Sequence, residues 1–128
     1  MQTPLYYDPR LNVSIYELKT TEGTPQIIAN LIPARFVTTR YKITILGTRT
    51  GGIAAGNVGD AFFSEGVYEY YTDGAGVVTF KSADIHIESI DDLNVDAYVS
   101  SPGTQIPIYV QGATNQDIGW QVHVEKFN

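Results

Sequence analysis

Two histidines and a pair of aspartates are the side chains best suited to bind a metal ion. His86 and His123 are the only histidines, and each alternates with polar residues that include carboxylates. If their segments paired in the right register, both imidazoles would approach one ion. Asp91 and Asp92 offer the oxygen ligands that calcium prefers, but the glycine and final glutamate of a calcium loop are missing. Solvated strand faces and a charged turn explain both patterns more simply, so no metal or other cofactor is predicted.

A glycine-rich segment, residues 47–60, invites comparison with phosphate-binding loops. Such a loop requires Lys and then Ser or Thr directly after its last glycine, where a helix begins. Here Asp60 follows the last glycine, and the strand-like sequence Ala61-Phe62-Phe63 comes next. An acidic residue at that point would repel a phosphate. The segment is therefore predicted to be a surface loop of about a dozen residues, a length that often carries function.

Nucleophilic catalysis has no recognisable motif in this chain. There is no cysteine and no Gly-x-Ser-x-Gly sequence, and neither histidine lies in a catalytic context. Acidic residues are numerous, but the sequence alone does not select a pair for glycoside hydrolysis. Trp120 alternates in phase with Val122 and Val124, which favours core packing over a role as a carbohydrate platform. No catalytic residue is predicted, and the protein is expected to have no enzymatic activity.

The composition predicts one soluble domain. The 128 residues are 43% hydrophobic and 17% charged, with a net charge of −6. No apolar stretch approaches the roughly 20 residues of a membrane span, and the N-terminus lacks the features of a secretory signal. Without cysteine the chain is compatible with a reducing cytoplasm. The acidic balance, with no basic cluster, argues against nucleic-acid binding.

Alternating apolar and polar residues predict strands rather than helices. The clearest runs begin at Tyr41, Leu93, Ile106 and Trp120, and a hairpin turn is predicted at Thr72-Asp73-Gly74-Ala75-Gly76. Turns at nearly regular spacing indicate a sandwich or barrel. The predicted fold class is all-β, an antiparallel, jelly-roll-like β-sandwich of about eight strands. The predicted core contains Ile43, Ile45, Val67, Phe80, Ile85, Ile87, Val95, Ala97, Val99, Ile106, Ile108, Val110, Trp120, Val122 and Val124.

Residues 1–35 differ from the remainder because four prolines interrupt them. We predict an N-terminal arm or edge hairpin there, followed by the sandwich domain at 36–128, although ordinary edge strands of the same domain fit equally well. Residues 26–32 carry no charge, so an exposed strand there would risk aggregation. A contact between subunits would cover it, which predicts a homo-oligomer, most simply a homotrimer. The candidate interface residues are Tyr6, Tyr7, Tyr16, Ile27, Ile28 and Leu31.

From about Thr44 to Phe127 the chain resembles small β-sandwich domains of bacteriophage virion proteins. The similarity lies in Gly59-Asp60-Ala61-Phe62-Phe63, in the hairpin at residues 72–80, and in a closing unit. That unit runs from Ile106 through a glycine-containing turn to a last strand that opens with Trp120. Residues 1–40 do not match these domains. The matched positions are turn and core residues, and none of them is catalytic.

This resemblance implies a non-enzymatic virion structural protein. The first expectation is a capsid decoration (cement) protein that binds the major capsid protein, or another virion protein, on the surface of the phage head. The alternative is a tail-fibre or receptor-binding module that holds glycans of the host surface through its loops. A third class, a small bacterial carbohydrate-binding or hydrolase-associated domain, fits less well. The resemblance implies synthesis in the host cytoplasm and no membrane or nucleic-acid partner.

Overall fold

In the computed structural model, which describes residues 4, 6–8, 12–90 and 95–127, every regular element is a β-strand. No helix in these ranges is long and apolar enough to cross a membrane. The all-β prediction is therefore confirmed. The strands are β1 Tyr6–Asp8, β2 Val13–Thr20, β3 Pro25–Leu31, β4 Val37–Gly51, β5 Ala61–Thr72, β6 Val78–Ile90, β7 Asp96–Val99, β8 Ile106–Gln111 and β9 Asp117–Phe127.

The strands form two antiparallel sheets that pack as a sandwich. The larger sheet has the order β1-β2-β9-β4-β5-β6, and the smaller one has the order β3-β8-β7. In the pairs β2–β9 and β3–β8, strands from opposite ends of the chain are neighbours, which is typical of a jelly roll. The strands β4, β5 and β6 instead form a meander that stays in the larger sheet. The predicted β-sandwich is confirmed, and the pairs β2–β9 and β3–β8 have the jelly-roll arrangement.

The core lies between the sheets and is centred on β9 and β8. Trp120, Val122 and Val124 of β9 alternate inward and are almost fully buried, as are Ile106 and Ile108 of β8. Tyrosines supply much of the remaining core, because their rings are large and their hydroxyl groups can reach the rim. Further buried residues that were not predicted are Tyr16, Ile28, Ala29, Leu31, Tyr41, Phe62, Tyr68, Tyr70, Val78 and Ile118.

Four residues of the predicted core are exposed instead: Val67, Phe80, Ile85 and Ile87. Val67 pairs with Lys42 and with Asp84, on the solvent face of the larger sheet. The other three share the inward face, but β6 is the last strand of its sheet and extends beyond the cover of the smaller sheet. Alternation predicts which face a side chain takes, whereas burial also requires an opposing layer.

The division at residue 35 stays a prediction, although the described strands before it pair with strands of the sandwich. Strand β2 pairs with β9 along its whole length, from Val13 to Thr20, and β3 pairs with β8. This pairing favours the alternative interpretation, ordinary edge strands of the same domain, for β3, while β2 is an interior strand. Ile28 and Leu31 are buried by the sandwich itself, so the uncharged run at 26–32 needs no second subunit to cover these two side chains.

Candidate binding surfaces

The two histidines lie on the solvent face of the larger sheet, but they do not come together. The strands β9 and β6 are separated by β4 and β5, and one cross-strand row runs His123, Thr44, Glu65, His86. Three strand spacings put the two backbones about 14 Å apart, which is too far for one ion. Within the described ranges no group of three or more metal-binding side chains occurs. Asp91 and Asp92 lie outside the described residues.

The glycine-rich loop connects β4 to β5 and is organised around Arg49. This side chain is buried, and its guanidinium donates hydrogen bonds to backbone carbonyl oxygens of the loop. The acceptors are Gly51 at 2.9 Å, Gly52 at 3.3 Å, Ala54 at 2.7 Å and Ala55 at 2.7 Å. In a phosphate-binding loop the N–H groups converge on an anion. Here carbonyl groups converge on a cation, so the arrangement is the reverse of a phosphate site.

The far end of this loop is also tied to the sandwich. The buried carboxylate of Asp60 accepts a hydrogen bond of 2.9 Å from the backbone N–H of Asn57. Gly59 donates its backbone N–H to the carbonyl of Arg49, at 2.9 Å. Between these anchors the loop presents two apolar side chains, since Ile53 is 88% exposed and Val58 is 71% exposed. The predicted surface loop is thus held by hydrogen bonds at both ends and exposes apolar side chains to solvent.

A cleft of about 490 Å³ crosses the solvent face of the larger sheet where β2, β9 and β4 run side by side. Gly119, which has no side chain, lines the cleft and leaves a gap between Lys19 and Thr48 in the outward row. Polar groups line one wall: the amide nitrogen of Gln121 donates to a carboxylate oxygen of Glu17 at 3.1 Å. The half-exposed Leu46 forms part of the opposite wall. The cleft combines polar groups with a little apolar surface, and Trp120 also lines it, although that side chain is only 2% exposed.

The smaller sheet carries two stacked tyrosines on its solvent face. Tyr98 of β7 lies directly opposite Tyr109 of β8, and their ring centroids are 5.3 Å apart with an angle of 18° between the planes. Ile27 of β3 continues the same row on the other side of Tyr109. Directly opposed aromatic residues stabilise a sheet through such contact. The pair forms a firm aromatic surface, which we call the tyrosine ledge.

Polar side chains flank the tyrosine ledge along the strands. Gln111 of β8 and Asp96 of β7 are opposite each other two residues beyond the rings, at one end. At the other end Asn30 of β3 is paired with Pro107 of β8. Successive residues on one face of a strand are about 7 Å apart, so these groups lie within reach of a ligand on the rings. An aromatic surface with amide and carboxylate neighbours suits a ligand with an apolar face and many hydroxyl groups.

The residues predicted for an intersubunit contact have three different locations. Tyr16, Ile28 and Leu31 are buried in the core, and their role in a contact between subunits stays a prediction. Ile27 is half-buried beside the tyrosine ledge. Strand β1 contains Tyr6 and Tyr7, but their side chains lie outside the described part of the chain. The trimer itself stays a prediction.

The sequence analysis did not identify the tyrosine ledge. Tyr98 and Tyr109 each occupy a polar position in the alternating pattern of a different strand segment. Their contact depends on the register between β7 and β8. The available signal was the high number of tyrosines, nine in 128 residues, several of them on the polar side of strand patterns. A tyrosine at such a position is amphipathic and suits an exposed contact surface.

The chain was compared with known families, curated proteins and solved structures. No family model matches it, and no curated protein matches it. Its fold is similar to part of the tailspike protein of Acinetobacter baumannii phage AM24, with a TM-score of 0.45 and 10% identity over 90% of this chain and 26% of that one. The tailspike of Acinetobacter phage vB_ApiP_P1 gives a TM-score of 0.43 and 10% identity, over 99% and 24% respectively. The chain spans about a quarter of the tailspike chains that it matches.

Proposed function

We propose that this protein is a non-enzymatic binding module of a phage particle and that it holds host-surface saccharide on the tyrosine ledge. Assignment to a virion rests on the sequence resemblance of residues 44–127 to phage β-sandwich domains. The observation that carries the saccharide assignment is the stacked pair Tyr98 and Tyr109 on an open sheet face. The sequence analysis placed glycan contacts in loops, whereas this proposal places them on a sheet.

The chemistry of a sugar matches this surface. A pyranose ring has faces of C–H groups that pack on an aromatic ring, and its rim carries hydroxyl groups that need donors and acceptors. One face of the Tyr98 ring is covered by Tyr109, and β7 is the last strand of its sheet in the described chain. No strand of the described chain covers the other face of that ring, and the side chain is 37% exposed, so a ligand can reach it.

The neighbours of the ledge supply the hydrogen bonds. The amide of Gln111 offers both donor and acceptor atoms, and the exposed carboxylate of Asp96 accepts from hydroxyl groups. One oxygen of Asp96 already accepts from the backbone N–H of Ala97 at 2.8 Å, which holds the carboxylate in place. A fixed carboxylate loses less conformational entropy when it binds a ligand.

Capsid decoration, the first expectation from the sequence, remains a prediction that no contact in the described residues tests. The saccharide proposal is preferred because it has a defined surface with suitable chemistry. It assigns no catalytic step to the ledge, and a bound polysaccharide is expected to remain intact. Incubation of the protein with host polysaccharide should release no new reducing ends.

Binding to fragments of host-surface polysaccharide, measured by saturation-transfer NMR and calorimetry, tests the proposal. Tyr98→Ala should weaken binding at least about tenfold, the equivalent of ~1.4 kcal/mol, without a change in the far-ultraviolet spectrum. Tyr71→Ala is the matched control, because both tyrosines are 37% exposed and Tyr71 lies on the solvent face of the other sheet. Equal loss in both variants, or loss only in Gln121→Ala at the cleft, would contradict the assignment.

A further inference from the structure

Strand β6 has a long edge with no neighbour in the described part of the chain. It runs over 13 residues, Val78–Ile90, and pairs with β5 on one side. It is the last strand in the order of its sheet, so beyond Val78, whose N–H donates to the carbonyl of Gly103 at 2.8 Å, its other side has no strand neighbour in the described residues. Such edges attract a further strand unless the sequence protects them.

The inward face of this strand is apolar and only partly covered. Phe80, Ile85 and Ile87 are each about half exposed, with Ile85 at 47%, although they share the face that forms the core. A groove of about 280 Å³ continues from them to β7, between the edges of the two sheets. Its wall is completed by Tyr68, Val99 and Pro102. Within the described residues, the core therefore extends to the open side of the sandwich without an outer layer.

Two of the usual protections of an edge strand, a bulge and a lysine, occur at only one end of β6. A bulge interrupts the pairing between Phe80 and Ser82, and Lys81 lies within it. Bulges and lysines are devices that prevent edge-to-edge contact. The remaining segment, residues 82–90, contains no lysine, arginine or proline. This segment is regular, paired on one side and suited to accept a strand.

We propose that the β6 edge pairs with the β6 edge of a second copy of this chain, antiparallel, with the two-fold axis at Ile85. In an antiparallel pair, directly opposed side chains project to the same face. Only registers with an inward residue against an inward residue are therefore possible. With Ile85 on the axis, Ala83 lies opposite Ile87 of the partner subunit, so that apolar side chains meet on the core side.

The chemistry of the opposed side chains selects this register from its neighbours. On the solvent face Asp84 comes opposite His86 of the partner subunit, and the symmetry repeats this contact. An axis at Asp84 would oppose two aspartates, and an axis at His86 would put Asp84 opposite Glu88 of the partner subunit. An axis at Ile87 would put Ile85 opposite a serine. Like charges, or an apolar residue against a polar one, make those registers less stable.

The contact would join two six-stranded sheets into one continuous sheet and cover the apolar groove from both sides. It is isologous, since the same residues contribute from each copy, and it therefore gives a closed dimer rather than a trimer. It is independent of saccharide binding, because the tyrosine ledge lies on the solvent face of the smaller sheet. Both surfaces can act in the same particle.

The mass in solution is the first test, measured by light scattering on the eluting protein at micromolar concentrations. The wild-type chain should have twice the 14.1 kDa of one copy. Ile85→Lys should elute as a monomer, because it puts two cations at the axis. Val67→Lys is the matched control, since Val67 is also an exposed apolar strand residue but lies on the opposite face, one strand away. It should remain dimeric. A wild-type monomer or trimer, or a dimer that survives Ile85→Lys, would overturn the proposal.

Cysteine cross-linking tests the register without disturbing the fold, because the chain has no cysteine of its own. Opposed Cα atoms in an antiparallel pair are about 4.5–5.5 Å apart, which a disulfide can bridge. Ile85→Cys should therefore cross-link to itself under mild oxidation. Ile87→Cys should not, since its own copy lies four residues away along the strand, about 13 Å. Ready self-linkage of Ile87→Cys, or none by Ile85→Cys, would refute pairing at Ile85.

Discussion

Gly47 lies directly beneath the indole ring of Trp120, on the adjacent strand β4. A Cβ atom at residue 47 would be 2.6 Å from Cζ3 of the indole and 2.8 Å from Cε3. The ring is held on its other sides, by an edge-to-face contact with Phe62 and by a hydrogen bond to Thr20. Trp120 is 2% exposed and has no room to withdraw. The glycine therefore makes space for the largest side chain of the core.

Gly47→Ala should accordingly destabilise the protein. The added methyl group must displace a ring that is fixed on three sides, and overpacking of this kind costs about 1–3 kcal/mol. The free energy of unfolding in urea measures the effect. Gly119→Ala is the control on the neighbouring strand, because its Cβ would meet nothing closer than 3.8 Å. Similar losses in the two variants would contradict the role of Gly47.

The hydrogen bond from the Trp120 indole gives a second prediction. Its N–H donates to Oγ1 of Thr20 at 2.9 Å, and both residues are buried. Thr20→Val keeps the volume but removes the acceptor, so the buried N–H loses its partner at a cost of about 1–3 kcal/mol. Thermal and urea unfolding should both report this loss. Thr38→Val, at an exposed position of β4, should change stability by much less; an equal change would argue against the hydrogen bond as the cause.

The bonding of Trp120 illustrates how far the sequence could predict this molecule. The phase of Trp120 with Val122 and Val124 predicted a buried ring, and the same periodicity predicted strands and fold class. Its partner Thr20 is 100 residues away along the chain, and no local pattern indicates that β2 and β9 are neighbours. Local periodicity reports which face a residue takes, while strand order depends on long-range packing.

The same limit explains the errors in the predicted core and site. Ile85 and Ile87 have a regular inward pattern, but their strand β6 lies at the edge of the larger sheet, where the smaller sheet does not cover it. Tyr98 and Tyr109 come together through a register that neither segment encodes by itself. Arg49 could be read only as a loop residue, because its carbonyl partners depend on how the loop folds back over β4.

Arg49 provides a third prediction, which concerns how the glycine-rich loop is kept ordered. Arg49→Met keeps most of the apolar stem but removes the donors that hold several loop carbonyl groups. Those part-buried acceptors would lose their partners, so the loop should open and the protein should lose about 1–3 kcal/mol of stability. Faster amide exchange and faster proteolysis at residues 52–60 would show the opening.

Arg40→Met is the control for this change. Arg40 forms an exposed ion pair with Glu69 at 2.8 Å on the solvent face of the larger sheet. Exposed pairs contribute about 0–1 kcal/mol, so this variant should stay near wild type, with unchanged exchange at 52–60. Unaltered exchange in Arg49→Met as well would mean that the loop does not depend on the guanidinium.

The buried tyrosines of the core predict a loss of stability at alkaline pH. Burial raises the pKa of Tyr41 to about 12, and the neighbouring Tyr16 adds to this. Burial also raises the pKa of Tyr70, whose ring meets that of Tyr41 edge to face. In the unfolded chain a tyrosine ionises at about pH 10. Because the folded pKa is higher, the stabilisation is complete below about pH 10 and is lost as the pH rises towards 12.

Urea unfolding over this range, combined with the near-ultraviolet absorbance of tyrosinate, measures the effect. Wild type should lose stability steeply above about pH 10, with some tyrosines ionising only as the protein unfolds. Tyr41→Phe removes one of the raised groups, so its stability should fall less steeply over the same range. Tyr71→Phe, at an exposed position, should keep the wild-type slope. Equal slopes in all three proteins would show that Tyr41 is not a source of the alkaline transition.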